Sequence, residues 1–229
     1  MSVVVVGCGR SGTNMVLEIL RGNSFFKATE PPEDKKVFHS SKSYSQRYLT
    51  KCDTAYFNFE KLEMVMEMNH MMKLVWTVRD PRDMILSKMR RGVPRSNGGD
   101  CKTLADDATP DGAIKDIERM MVLLISAIKR YSPNRLLVVK MEDVIQNIEI
   151  SVAGLCRFLK IDIEMNMLTF YDRMRNKDKA KRYSGIDKSQ VAMWKRWDTV
   201  YDGWFKESKH DIPGLFNRIS GVTEWLGYV

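Results

Sequence analysis

Residues 2–7 read Ser-Val-Val-Val-Val-Gly, and Cys-Gly-Arg-Ser-Gly-Thr-Asn follows at once. An unbroken β-branched run without polar alternation is the pattern of a strand buried on both faces, as in a parallel sheet. Parallel strands cannot be joined by tight hairpins, so this start commits the chain to strand–helix–strand units. Met15, Val16, Ile19 and Leu20 then recur at helical spacing, and Gly22-Asn23 ends the segment. A glycine-rich turn between such a strand and helix lets backbone N–H groups approach an anion, and the helix N-terminus adds partial positive charge. Ser11, Thr13 and Asn14 supply further hydrogen-bonding groups, and Arg10 places a cation inside the turn.

The rest of the chain keeps the alternation. Residues 28–47 are polar, contain Pro31-Pro32 and read as loop; Thr54–Phe59 reads as a short strand, and Glu60–Met72 as a helix. Lys73–Arg79 is a second buried strand. Asp80-Pro81 starts a helix that runs to about Arg91, because aspartate caps and proline suits the first helical position. Gly92–Gly112 reads as a long loop, Ala113–Tyr131 as an amphipathic helix, Arg135–Lys140 as a third strand and Ile150–Leu159 as a helix. The expected architecture is therefore a three-layer α/β domain spanning 1–229, with a central parallel sheet flanked by helices.

Two segments carry chemistry. Gly7 and Gly12 have the spacing of a nucleotide-hydrolase P-loop, GxxxxGK[ST], but Thr13-Asn14 replaces the Lys-Ser/Thr pair. The lysine for terminal phosphates and the hydroxyl for magnesium are missing. The second segment is Trp76-Thr77-Val78-Arg79-Asp80-Pro81-Arg82-Asp83-Met84-Ile85-Leu86-Ser87. A guanidinium at a strand end and a hydroxyl eight residues on, in the next helix, can converge on one phosphate.

Together these residues resemble the sulfotransferases that use 3′-phosphoadenosine 5′-phosphosulfate (PAPS). Gly9-Arg10-Ser11-Gly12-Thr13-Asn14 is similar to their 5′-phosphosulfate loop, with Asn14 where Thr or Ser is commoner; Arg79 and Ser87 match their 3′-phosphate motif. Val138–Val144, with Met141 in place of the usual Tyr, and Leu155–Leu159 are weaker echoes. Ser189–Trp197 looks like the segment that closes over the cofactor, with Lys188 or Arg182 as a phosphate contact. The resemblance spans residues 2 to about 200 and implies a P-loop-like sulfotransferase fold.

It also implies a reaction. PAPS is the sulfuryl donor, PAP the product, and no metal is needed. Arg10 neutralises charge on the leaving phosphate, and a general base serves the hydroxyl or amine of a small-molecule, carbohydrate or peptide acceptor. Glu30, about 20 residues beyond Arg10, is the first choice for that base, with Glu33 and His39 in reserve. Two other readings stay open on the residues alone: a nucleotide or small-molecule kinase with an altered P-loop, and a non-catalytic binder of nucleotides or nucleic acid.

Composition bounds these readings. Net charge is +8, from 37 Lys+Arg against 29 Asp+Glu, which favours anionic partners without choosing among them. The basic run 173–182 reads as a solvated face or nucleotide lid rather than a nucleic-acid patch. Four cysteines and three histidines are scattered, without the paired spacing of a zinc site, and the cysteines read as reduced, buried thiols. No apolar run approaches the roughly 20 residues of a membrane span. The apolar start is too short for a signal peptide, so a cytoplasmic location is expected.

Overall fold

The computed structural model describes residues 1–34, 36–38, 47–90, 109–175 and 214–228. Among the described residues, five parallel strands form one sheet in the order β2-β3-β1-β4-β5: β1 Ser2–Gly7, β2 Lys27–Glu33, β3 Tyr48–Asp53, β4 Met72–Val78 and β5 Leu136–Lys140. Helix α1 (Thr13–Arg21) leads from β1 toward the β2 edge; α2 (Phe59–Met68) returns the chain to β4, on the other side of β1. Helices α3 (Pro81–Arg90) and α4 (Pro110–Arg130) precede β5, and α5 (Met141–Gln146) and α6 (Ile148–Leu159) follow it. Because strand order departs in both directions from β1, the carboxyl ends of β3, β1 and β4 border the crevice where open parallel sheets hold ligands.

β1 is buried along its whole length because the sheet is covered on both faces. Val4 and Val6 join Leu74, Trp76, Leu62, Val65, Ile117 and Leu124 on one side. Val3 and Val5 join Val75, Met15, Ile19, Leu20, Leu155 and Leu159 on the other. Burying each of these side chains contributes about 1.5–3 kcal/mol, which pins β1 at the centre.

Several boundaries differ from the sequence-based expectation. The stretch read as a loop from residue 28 contains β2, whose register against β3 shifts between Ala28 and Glu33. Pro31 and Pro32 are compatible with it because β2 is an edge strand and they fall between its paired residues Ala28 and Glu33, in the irregular stretch where no ladder pair forms. The strand expected at Thr54–Phe59 lies earlier, at Tyr48–Asp53, and Thr54–Tyr56 is a single 3₁₀ turn capped by Asp53. Helix α4 starts at Pro110, with the Thr109 side chain accepting from the Gly112 N–H. Five methionines between positions 64 and 72 divide by environment: Met66 and Met72 are buried, whereas Met64, Met68 and Met71 are exposed. Among the described residues, no helix is long and apolar enough to cross a membrane.

Candidate active site

The glycine turn sits at the carboxyl end of β1 and opens into α1. Gly7 has no room for a side chain: a β-carbon there would stand 2.4 Å from both Ser11 Oγ and Thr77 Oγ1, and 2.8 Å from the Thr77 carbonyl oxygen. Ser11 Oγ and Thr77 Oγ1 are 2.8 Å apart. The Thr77 hydroxyl donates to the Val6 carbonyl at 3.3 Å, so Ser11 is the donor between the two. Arg10 has φ 78° and Gly12 φ 95°. These two left-handed residues turn the chain from strand into helix, and Arg10 does so at a steric cost a glycine would not bear. Gly12 is the N-cap of α1; it offers no side chain, and no acidic residue occupies the first turn. The helix N-terminus therefore presents its partial positive charge without a neighbouring carboxylate from that turn.

The second motif packs against this turn. Arg79 follows the last residue of β4, and Ser87 lies in α3; both are buried. Arg10 Nε donates to Ser87 Oγ at 2.8 Å, so the cation of the first motif reaches the hydroxyl of the second. Arg79 Nη2 pairs with Asp83 Oδ2 at 3.2 Å, one turn along α3. Arg10 thus contacts Ser87, while Arg79 pairs with Asp83. Asp80 Oδ1 accepts from the Arg82 N–H at 2.9 Å, as a residue capping α3 should.

Beneath the turn lies a polar group that sequence reasoning did not find. A β-carbon on Gly9 would stand 3.0 Å from Asp53 Oδ2 and 3.6 Å from Lys88 Nζ. Asp53 is the last residue of β3 and pairs in register with Gly7. Lys88, from α3, forms an ion pair with Asp116 of α4; their side chains are 4% and 9% exposed. The Cys8 thiol donates to the same Asp116 oxygen at 2.9 Å. Burial pushes the Cys8 thiol well up from its ordinary range, against the opposing influence of Lys88, so it stays protonated. Cys52 and Cys156 are likewise buried thiols outside any disulfide.

A third contribution comes from the start of α5. The Met141 side chain packs 3.1–3.2 Å from where a β-carbon on Gly12 would stand. Glu142 Oε1 accepts from the Asp80 N–H at 2.9 Å, and Glu142 Oε2 accepts from Tyr228 Oη at 2.6 Å. Burial raises the Glu142 carboxyl above its ordinary value, partly offset by these two bonds.

Glu30 lies within β2, two strands from β1. At about 4.8 Å per strand, its backbone is roughly 10 Å to the side of β1. Glu33 ends the same strand. His39, Arg182, Lys188 and Ser189–Trp197 lie outside the described residues, as does most of the expected loop from Gly92. Among the described residues, no group of three or more His, Cys, Asp or Glu side chains is placed to hold a metal ion.

The class these observations define is an α/β protein with a glycine turn and helix N-terminus at the carboxyl edge of a parallel sheet, buttressed by an arginine–serine contact. A sulfotransferase family model matches residues 35–165, more than half of the sequence. The chain belongs to that family. The match includes Arg79 and Ser87 but begins after the glycine turn, so the turn is an independent observation.

Solved structures share the fold at low identity. The sulfotransferase domain from the curacin biosynthetic pathway aligns with a TM-score of 0.58 at 16% identity, covering 100% of this chain and 98% of that one. Mouse sulfotransferase SULT7A1, solved in complex with PAP, aligns with a TM-score of 0.64 at 14% identity, covering 97% of this chain and 83% of that one. Retinol dehydratase, in complex with androsterone and inactive cofactor PAP, gives 0.51 at 12%, covering 93% and 82%. No curated protein sequence matches the chain significantly.

Proposed function

We propose that this protein transfers a sulfuryl group from PAPS to the hydroxyl or amine of a small-molecule, carbohydrate or peptide acceptor, in the cytoplasm. The observation that carries the reading is the 2.8 Å contact between Arg10 and Ser87, which joins the two segments matching the family's two phosphate motifs. The glycine turn from Gly9 to Asn14 would hold the 5′-phosphosulfate through its backbone N–H groups and the Ser11, Thr13 and Asn14 side chains. Arg79 and Ser87 would hold the 3′-phosphate, with Lys188 as a further contact. PAPS supplies an activated sulfur–oxygen bond when bound.

The acceptor oxygen or nitrogen forms a bond to sulfur as the bond from sulfur to the leaving phosphate oxygen breaks. The acceptor proton passes to a carboxylate, and Arg10 faces the charge growing on the leaving phosphate. Two carboxylates compete for the proton. Glu30 has the chain spacing that the family resemblance implies. Asp53 has the position, since its Oδ2 lies beside Gly9 at the end of the strand next to β1. Glu30→Gln and Asp53→Asn separate them: the true base loses most turnover, about 10²–10⁴-fold, while PAP still binds. Turnover unchanged in one variant removes that residue from the mechanism.

Calorimetric titration tests the donor. PAP is titrated without magnesium, against adenosine 5′-phosphate and against ATP with magnesium. The expected result is binding that depends on the 3′-phosphate and is lost in Arg79→Ala. Binding of magnesium-ATP as tight as that of PAP overturns the reading in favour of a kinase.

A further inference from the structure

The two phosphate motifs stand on different strands, so something must hold their relative placement against the pull of a doubly charged ligand. Pairing of β1 with β4 sets the strands, but it ends at Val6–Trp76, three residues before Arg79. The peptide that follows it, Arg79–Asp80, has its N–H bound at 2.9 Å to a single buried acceptor, Glu142 Oε1. The other carboxylate oxygen of Glu142 is occupied by Tyr228 Oη at 2.6 Å. The Tyr228 ring also lies 4.7 Å from Lys140 Nζ, and Lys140 immediately precedes α5. The residue between Lys140 and Glu142 is Met141, which packs on Gly12 of the first motif. One short segment, 140–142, thus touches both motifs and is anchored from outside the sheet by Tyr228.

We propose that Tyr228 and Glu142 are a positioning pair for the 3′-phosphate site. Tyr228 orients the Glu142 carboxylate, and Glu142 orients the Arg79–Asp80 peptide and with it the arginine. Neither residue touches the nucleotide. The arrangement needs a hydroxyl at 228, because only the Oη reaches Glu142; the ring alone would keep the packing on Lys140. The proposal rests on the donor reading above, since it assigns the pair to the 3′-phosphate end of that nucleotide.

The test is the ratio of dissociation constants for adenosine 5′-phosphate and PAP, measured by calorimetry on the full chain and on Tyr228→Phe, with Tm recorded for each. Wild type is expected to prefer PAP. Tyr228→Phe is expected to lower that preference about five- to tenfold, through weaker PAP binding, with the affinity for adenosine 5′-phosphate unchanged. Glu142→Ala, which removes both bonds, should lower it at least as far; Tyr228→Phe, the milder change, decides. A preference equal to wild type in Tyr228→Phe overturns the proposal and leaves the donor reading intact. Equal weakening of both nucleotides with a lowered Tm also overturns it, because the pair then only supports the fold. Wild type without any preference for PAP removes the donor reading, and the proposal with it.

Discussion

Arg10 Nε and Ser87 Oγ are 2.8 Å apart although 77 positions separate them in the chain. The contact ties a turn after β1 to a helix after β4. It also changes what each residue is expected to do on its own. Ser87 sets where the Arg10 guanidinium points, and a left-handed backbone at Arg10 aims the side chain across the turn. Ser87→Ala removes that acceptor. A hydrogen bond to a charged group contributes about 1.5–3 kcal/mol, so PAP affinity should fall roughly 10- to 100-fold. Calorimetry on the variant checks this, and an unchanged dissociation constant would separate the contact from binding.

The glycines should sort by their surroundings. Gly7→Ala puts a methyl group 2.4 Å from two hydroxyl oxygens and 2.8 Å from a backbone carbonyl, and should destabilise the fold by at least about 2 kcal/mol. Gly154, inside α6, has nothing within 4 Å. Gly154→Ala should therefore stabilise by about 0.5–1 kcal/mol, a gain of a few degrees in Tm, because alanine restricts the unfolded chain and favours helix. Thermal unfolding of the two variants should move in opposite directions.

The ion pair of Lys88 and Asp116 is buried, and breaking it from one side should be costly. Asp116→Asn replaces the carboxylate facing the buried ammonium with an amide and removes the charged acceptor of the Cys8 thiol, and should lower the unfolding free energy. Removing both charges, in Lys88→Met with Asp116→Leu, should recover most of that loss. Urea unfolding of the single and double variants provides the comparison; a double variant as unstable as the single one would show that the pair itself, and not the loss of charge balance, supplies the stability.

Glu142 links stability to pH. Its carboxyl is raised above the ordinary 4.5 by burial, so the folded state holds this proton more tightly than the unfolded chain does. Its contribution is fully present below pH 4.5 and is lost as pH rises through the raised value. Glu142→Gln cannot titrate. The unfolding free energy of wild type minus that of Glu142→Gln should therefore decline as pH rises from about 4.5 toward neutrality. A difference that is flat or grows over that range contradicts the burial of this carboxyl.

Local patterns were legible where one residue's neighbours in the chain are also its neighbours in space. Val3–Val6 announce a strand covered on both faces, and the turn that follows needs its glycines whatever the rest does. Asp80-Pro81 starts α3, and Arg79 and Ser87 arrive at a strand end and in a helix as their spacing implies. Misreadings arose where two local rules conflicted. Pro31-Pro32 argues for a loop, but an edge strand tolerates it; β3 mixes Thr50, Lys51 and Asp53 with apolar residues, and the aromatic stretch beyond it looked more like a strand.

The sequence by itself therefore determined the fold class, the central strand, the glycine turn and the two motifs on which the family resemblance rests. Backbone sterics and hydrophobic periodicity act over a few residues and leave their mark in the chain. Only the tertiary structure decided that Arg10 rests on Ser87, that Asp53 and Lys88 close on Gly9, and that Tyr228 reaches Glu142. These contacts join side chains from separate elements, and a hydrogen bond or buried charge pair depends on distances that no spacing along the chain encodes.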